Sequence, residues 1–250
     1  MITINEGKKF TLIKANVTDF SDSLGYCEHK IPFYMKGIKA PPSPETIKGT
    51  AAHKQEEEFE KEHFKFVPIT HAELVDMNRD IELARENIFI RLLVPTNIVQ
   101  QQVLILLFGR ADKIFRYKQT LIVQDDKFPT NLKKYEERFE PYPDQILQAL
   151  TYLNSKFTPN GSWNPDEWLE IPHKEKAWII QIRDKNNGNK PFRIFKGVQT
   201  EEATMFLQSS LARFAMLVLG KEERIHHNKP DKCAPCRYFD KCQFRLEPLK

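Results

Sequence analysis

The chain has 250 residues, of which 40% are hydrophobic and 29% are charged, and its net charge is +4. This length fits one large domain over residues 1–250 or two small ones, and no apolar run approaches the roughly 18 residues of a membrane span. Met1 to Phe10 include no apolar signal core, so we expect a cytoplasmic protein. The weakly basic charge permits nucleic-acid binding without establishing it.

The first third of the chain is predicted to be helical. Residues 16–36 have the pattern of a helical entry segment. Residues 43–45 read Ser-Pro-Glu, which supplies an N-cap, a first-turn proline and an acid. A helix is therefore expected from residue 43 to about residue 63, and a second helix is expected over 71–92.

The middle of the chain changes to extended structure. Residues 103–108 and 120–128 are apolar and rich in residues that favour strands. Between them, residues 116–119 are short enough for a hairpin connection. These segments predict neighbouring strands.

The last part alternates helices and strands. We expect a helix over 143–157, strands over 177–182 and 192–195 with an Asn-rich turn at 186–189, and a helix from Thr200 to Gly220. This order predicts an α/β or α+β fold, in which helices flank a central mixed β-sheet.

Two aspartates and a lysine follow the predicted strands. Asp112 ends a Gly-Arg-Ala-Asp stretch, and Asp125 and Lys127 lie two apart, so they share one face of a strand while Asp126 points to the other. Mg²⁺ and Mn²⁺ prefer oxygen ligands, and an adjacent ammonium stabilises charge that develops on a phosphate. His53 on the early helix is suited to complete the metal shell and fits Mn²⁺ better than Mg²⁺.

Each of these signals has an ordinary alternative. The Asp125–Lys127 triplet by itself is more typical of an exposed hairpin with solvated acids, and a single histidine on a helix is more often structural or solvated than a ligand. Gln148 and Tyr152 lie four apart and share one helical face. They indicate either the polar edge of an amphipathic helix or a pair that supports the metal site or contacts the DNA backbone.

Four cysteines lie at opposite ends of the chain. The C-terminal three have the spacing Cys-x2-Cys-x5-Cys, which favours a metal site in a cytoplasmic protein over disulfides. The four residues are Cys27, Cys233, Cys236 and Cys242. Four thiolates suit zinc or an iron–sulfur cluster, and three nearby histidines, His29, His226 and His227, could replace one of them. The site would join residues 16–36 to residues 226–245 and stabilise the domain.

Together these elements resemble the RecB-like branch of the PD-(D/E)XK nuclease superfamily. More narrowly, they are similar to the CRISPR-associated exonuclease family of the spacer-acquisition machinery, the fourth Cas family. The order of the motifs carries the resemblance: an early Cys, a Gly-x3-His helix, a Gly-x2-Asp strand, an Asp-x-Lys strand, a Gln-x3-Tyr helix and Cys-x2-Cys-x5-Cys. It spans the chain from Cys27 to Cys242.

The resemblance implies a role for each motif residue. The implied fold is a restriction-endonuclease-like PD-(D/E)XK core. The implied metal ligands are His53, Asp112 and Asp125, the implied catalytic lysine is Lys127, and Gln148 and Tyr152 form the Gln-x3-Tyr motif. The four cysteines are the implied ligands of a [4Fe–4S] cluster. The third motif often has Glu, so Asp125 and its neighbour Asp126 are both candidate acids.

The expected function is a Mg²⁺- or Mn²⁺-dependent deoxyribonuclease acting on single-stranded DNA or overhangs. The resemblance implies DNA trimming in CRISPR spacer acquisition, beside CRISPR integrase proteins. One alternative is a stand-alone repair or recombination nuclease. Another is a non-catalytic iron–sulfur or zinc module that binds DNA.

Overall fold

The strands form two five-stranded sheets in this computed structural model of the chain. The structure describes residues 1–7, 9–39, 42, 44–63, 81–82, 89–98, 101–129, 131–158, 162–185 and 187–247. The strands are β1 (Thr3–Glu6), β2 (Thr11–Asn16), β3 (Ile81–Glu82), β4 (Phe89–Ile98), β5 (Gln101–Arg110), β6 (Lys113–Tyr117), β7 (Thr120–Lys127), β8 (Lys156–Thr158), β9 (Glu175–Asp184) and β10 (Asn187–Val198).

The helices lie between and after these strands. They are α1 (Val17–Gly25), α2 (Ile31–Met35), α3 (Pro44–His63), α4 (Pro143–Leu153), α5 (Glu201–Val218) and α6 (Pro230–Cys233). Short 3-10 turns span Glu28–Lys30, Leu132–Tyr135, Pro165–Glu167 and Phe239–Lys241. None of the helices in the described part of the chain combines the length and the apolar character needed to cross a membrane.

Both sheets are mixed. The first has the strand order β1-β2-β5-β4-β8, and only its β2–β5 pair is parallel. The second has the order β10-β9-β7-β6-β3, and only its β7–β9 pair is parallel. The predicted α/β or α+β class with mixed strand pairing and flanking helices is confirmed, although the strands form two sheets rather than one central sheet.

One hydrophobic cluster connects both sheets with the helices. It includes Ile13 of β2, Val123 of β7 and Leu150 of α4, all fully buried. Phe20 of α1 meets Phe214 of α5 edge to face, with ring centroids 5.2 Å apart. Burial of this apolar surface is the main force that holds the layers together.

Most of the predicted elements are present. The entry segment 16–36 consists of α1, a 3-10 turn and α2, and the helix expected over 43–63 is α3. The turn between β6 and β7 places Lys118 and Gln119 at φ values of 46° and 68°, as a tight hairpin requires. The last long helix begins where the Thr200 hydroxyl accepts the backbone N–H of Ala203.

Two helix predictions are wrong in part. Of the helix expected over 71–92, residues 71–80 and 83–88 lie outside the described residues, and 81–82 and 89–92 are in strands. The run from Phe89 to Val94 is apolar except at Arg91, so its periodicity fits either structure, and pairing with β5 makes it a strand. The helix expected to reach residue 157 ends at Leu153, because residues 156–158 pair with β4.

The crossing of α1 and α4 requires a glycine. A Cβ atom at Gly25 would lie 2.2 Å from the backbone nitrogen of Asp144 and 2.3 Å from its Cα. Those are backbone atoms of the first turn of α4, so they have no flexible end that could move aside. The two helices therefore touch closely because position 25 has no side chain.

We predict that Gly25→Ala lowers the free energy of unfolding by about 1–3 kcal/mol, because it forces apart two packed helices. Urea denaturation followed by circular dichroism measures the loss. Gly49→Ala on α3 is the control, since its Cβ would approach only the Phe128 carbonyl oxygen, at 4.0 Å. That control should be neutral or stabilising by up to about 1 kcal/mol. Equal stability of the two variants would contradict the proposed contact.

Candidate active site and metal centre

The hairpin of β6 and β7 brings Asp112 next to Asp125 and Asp126. Asp112 lies just before β6. Because Lys113 pairs with Gln124 in the antiparallel register, Asp112 lies opposite Asp125. The carboxylate Oδ2 of Asp112 accepts the backbone N–H of Asp126 at 2.8 Å. The strand pairing therefore places the two predicted aspartates, Asp112 and Asp125, side by side.

Strand alternation separates the two neighbouring acids. Asp126 is buried and pairs with Arg183 of β9, with Oδ1 of Asp126 3.2 Å from Nε of Arg183. Gln124, two residues earlier, donates to the same carboxylate at 3.3 Å. Asp125 instead pairs with Lys127, with its Oδ2 2.7 Å from Nζ of Lys127. Asp126 therefore has a structural partner, and Asp125 is the acid that shares a site with Lys127.

Helix α4 holds the lysine in place. Lys127 donates from Nζ to Oε1 of Gln148 at 2.8 Å, and Gln148 donates from Nε2 to the hydroxyl of Tyr152 at 2.9 Å. Gln148 and Tyr152 are one helical turn apart, as their spacing predicts. The five residues predicted to be catalytic, Asp112, Asp125, Lys127, Gln148 and Tyr152, are thus brought together.

The surroundings shift the pKa values of buried Asp125 and half-buried Asp112. Burial raises the pKa of Asp125 to about 7, since the opposing attraction of Lys127 is incomplete and the Asp112 carboxylate adds repulsion. Burial also raises the pKa of Asp112. Burial alone lowers the pKa of Lys127, but Asp125 and Asp112 outweigh it and the pKa is raised. Two neighbouring carboxyl groups with raised pKa values are typical of a site that binds a cation.

The donor atoms fit a divalent ion with oxygen ligands. Oδ2 of Asp125 is buried and, apart from its ion pair with Lys127, has no hydrogen-bond partner. The His53 ring lies against Phe128, the residue after Lys127, with centroids 4.6 Å apart. The ligand atoms of His53, Asp112 and Asp125 are not all within 4.8 Å of one another among the residues described. The role of His53 as third ligand stays a prediction.

Sequence reasoning missed two residues in the first turn of α4. Gln145 is buried, donates from Nε2 to the Tyr135 hydroxyl at 2.9 Å, and accepts the backbone N–H of Tyr142. Burial and the negative charge of Asp22 raise the pKa of Asp144, while Lys127 lowers it. The sequence signal was the helix start itself, a proline followed by an acid and a glutamine, which indicates capping before it indicates function.

An open cavity of about 480 Å³ lies beside this first turn. Aromatic and basic side chains from three parts of the chain line it together with Asp144. They are Tyr26, Tyr135, Tyr142, Lys134, Lys229 and Lys232. Pro129, two residues after Lys127, also lines the cavity, so it adjoins the acidic site. Its lining joins the N-terminal and C-terminal segments of the chain.

The four cysteines surround a second cavity. Cys27, Cys233, Cys236 and Cys242 are free and line it together with His29, His226 and His227. Direct contacts join the two segments: the Tyr26 hydroxyl donates to the Lys232 carbonyl at 2.5 Å, and Tyr238 stacks on Phe33 with ring centroids 4.5 Å apart. Residues 16–36 and 226–245 therefore meet, as predicted.

Three of the potential metal ligands in this cavity form a compact group. The ligand atoms of His226, His227 and Cys233 all lie within 4.8 Å of one another, so this group could hold a metal ion. No three of the four cysteine sulfurs lie that close together among the described residues. A single tetrahedral zinc ion would bring thiolates to about 3.8 Å from one another. The cavity therefore has a compact donor group, His226, His227 and Cys233, and four thiols that line it more widely.

Comparison with known proteins adds little. No protein-family model matches the chain, and no curated protein matches it. The structure described as "Crystal structure of SSO0001" is similar, with 13% sequence identity and a TM-score of 0.47 over 98% of this chain and 90% of that chain. A likeness at this level carries no argument about fold or function.

We predict that Asp126→Asn lowers the free energy of unfolding by about 3 kcal/mol, because it removes a charged partner of the buried Arg183. Urea denaturation in the presence of a chelator measures the effect. Asp125→Asn is the matched control: it removes a charge that burial opposes, and Lys127 keeps its bond to Gln148. A larger loss in Asp125→Asn than in Asp126→Asn would reverse the two assignments.

Proposed function

We propose that the chain is a metal-dependent nuclease that hydrolyses phosphodiester bonds of DNA. The observation that supports it best is the convergence of two carboxylates, the half-buried Asp112 and the buried Asp125, on the ammonium of Lys127. Two adjacent acids with a lysine are a set that can position a divalent cation beside a phosphate and stabilise the charge that develops in the reaction.

Each side chain has a role in this proposal. Asp112 and Asp125 hold Mg²⁺ or Mn²⁺, with His53 as the proposed third ligand. The ion, when bound, supplies polarisation of the phosphoryl oxygen and a water molecule of lowered pKa. Lys127 presents its ammonium to the phosphate and orients the attacking water or stabilises developing charge. Gln148, itself bonded to Tyr152, keeps that ammonium at the carboxylates.

The finer family assignment belongs to the same proposal. A PD-(D/E)XK core is supported by the β6–β7 hairpin, the parallel pair of β7 and β9, and α4 packed against both β7 and β9. Membership of the CRISPR-associated exonuclease family is supported by the order of the motifs and by the meeting of the two cysteine-bearing segments. The proposed role is trimming of DNA for spacer acquisition, with CRISPR integrase proteins as partners.

The four cysteines are proposed to hold a [4Fe–4S] cluster. They line one cavity, and the contacts of Tyr26 with Lys232 and of Phe33 with Tyr238 bring the two ends of the chain together. A cluster there would clasp these ends and add its binding free energy to the folded state. Its proposed role is structural.

Single-stranded DNA or an overhang is the proposed substrate. The cavity beside α4 offers aromatic faces for stacking and lysines for phosphates, which is how strands are bound without sequence preference. Arg138 lies over the Tyr142 ring at 3.9 Å and adds charge to this wall. Tyr117 and Lys118 lie at the far turn of the hairpin, roughly 20 Å along β7 from Lys127, and do not line this cavity.

We predict that Asp112→Asn, Asp125→Asn and Lys127→Ala each lower the rate of Mn²⁺-dependent cleavage by about 100-fold or more. End-labelled single strands, incubated with protein purified without oxygen, report the rate. Asp166→Asn and Lys196→Ala are matched controls, because both side chains are exposed and neither residue is on β6, β7 or α4, which carry the site. DNA binding without cleavage in the unsubstituted chain would favour the non-catalytic module, and equal loss in the controls would remove the site assignment.

We also predict that Lys134→Ala combined with Lys229→Ala weakens single-strand binding and its dependence on salt. Removal of two phosphate contacts should lower the slope of log affinity against log salt by about 1.4. Fluorescence anisotropy with a chelator present, at several salt concentrations, measures the slope. The control pair, Lys118→Ala with Lys196→Ala, removes the same charge elsewhere. An equal change of slope in both pairs would show that net charge, and not this cavity, binds the strand.

A further inference from the structure

Two histidines face one of the cysteine sulfurs. Nε2 of His227 lies 3.7 Å from Sγ of Cys233, and Nε2 of His226 lies 4.0 Å from it. Zinc held directly by an imidazole and a thiolate would place these atoms about 3.6 Å apart. The distances alone therefore suit two arrangements: a metal ligand at each ring, or a ring that donates a hydrogen bond to sulfur.

The other nitrogen of His227 decides between them. Its Nδ1 accepts the backbone N–H of Lys229 at 3.0 Å, so Nδ1 carries a lone pair and not a proton. In the neutral ring the proton is then on Nε2, which is the atom that faces Cys233. A metal bound at Nε2 would need the opposite tautomer, with an Nδ1–H pointing at a backbone N–H.

His226 has a similar but less decisive setting. Its Nδ1 accepts the backbone N–H of Asn228 at 3.1 Å, and the Asn228 side-chain oxygen also lies 3.3 Å from that nitrogen. The case therefore stands on His227. Local folding explains its position: Asn228 has a φ of 50°, a left-handed conformation that asparagine tolerates, and the chain then enters α6, which carries Cys233.

The geometry points to His227 as a positioning residue that donates Nε2–H to the Cys233 sulfur and so tunes the inorganic centre held by the four cysteines. This inference rests on the proposed cluster and not on the nuclease assignment. A hydrogen bond to a thiolate sulfur strengthens as negative charge on the sulfur grows. The reduced cluster carries one more electron, so the bond stabilises the reduced form and raises the reduction potential.

The test is a redox titration of the full chain, reconstituted with iron and sulfide and reduced stepwise by dithionite with mediators. His227→Ala should keep the iron and sulfide content, because all four cysteines remain. At a fixed potential its ratio of oxidised to reduced cluster should rise up to about tenfold, which is a shift of about 59 mV to more negative potential for one electron. His227→Gln should restore the original potential, since its amide N–H donates to the sulfur.

His173→Ala is the matched control, because that ring bonds to the Ile171 carbonyl away from the cysteines and should leave the potential unchanged. Loss of iron in His227→Ala, or an unchanged potential in it, would overturn the inference. Should the centre contain zinc, the proposed cluster fails, and zinc content still distinguishes the roles. Zinc retained by both His227 variants supports donation, and zinc lost from both makes His227 a ligand.

Discussion

Helix α4 is packed so closely on α1 that Gly25 has no room for a side chain, and this contact places both candidate sites on one scaffold. From α4, Gln148 reaches the lysine of the acidic site and Asp144 enters the cavity beside it. From the end of α1, the chain continues directly into Cys27. A displacement of either helix would therefore affect the carboxylate site and the cysteine centre together.

The acidic site illustrates how one strand serves stability and chemistry at once. Asp126 faces Arg183 and Gln124 and is neutralised inside the sheet, whereas Asp125 faces Asp112 and Lys127 with less compensation. Buried charge is tolerated when it is paired, and it is costly when two acids share one cation. The less compensated negative charge of β7 therefore lies on the face of Asp125, where a bound divalent ion would neutralise it.

The cysteine centre depends on contacts between segments about 200 residues apart. Arg213 donates two hydrogen bonds to the Glu28 carboxylate, and the Tyr26 hydroxyl donates to the Lys232 carbonyl at 2.5 Å. These contacts hold the thiols around their cavity before any inorganic group is considered. The same segments supply Tyr26, Lys229 and Lys232 to the open cavity, so they form part of both the cysteine centre and the proposed strand-binding surface.

Local sequence was sufficient where a short-range rule applies. The alternation of β7 predicted that Asp125 and Lys127 share a face, the four-residue spacing of α4 predicted that Gln148 and Tyr152 share one, and Thr200 predicted the start of α5. The spacing of three C-terminal cysteines predicted a common centre. Each prediction needed only backbone periodicity or capping chemistry, which act within a few residues.

The rest was decided by tertiary structure, because it depends on which segments meet. Residues 89–92 are apolar enough for either helix or strand, and pairing with β5 and β8 makes them a strand. The different partners of the two acids depend on Arg183, which lies on a strand nearly sixty residues away. Sequence by itself determined the candidate residues and their local faces, whereas long-range packing determined their partners, burial and charge.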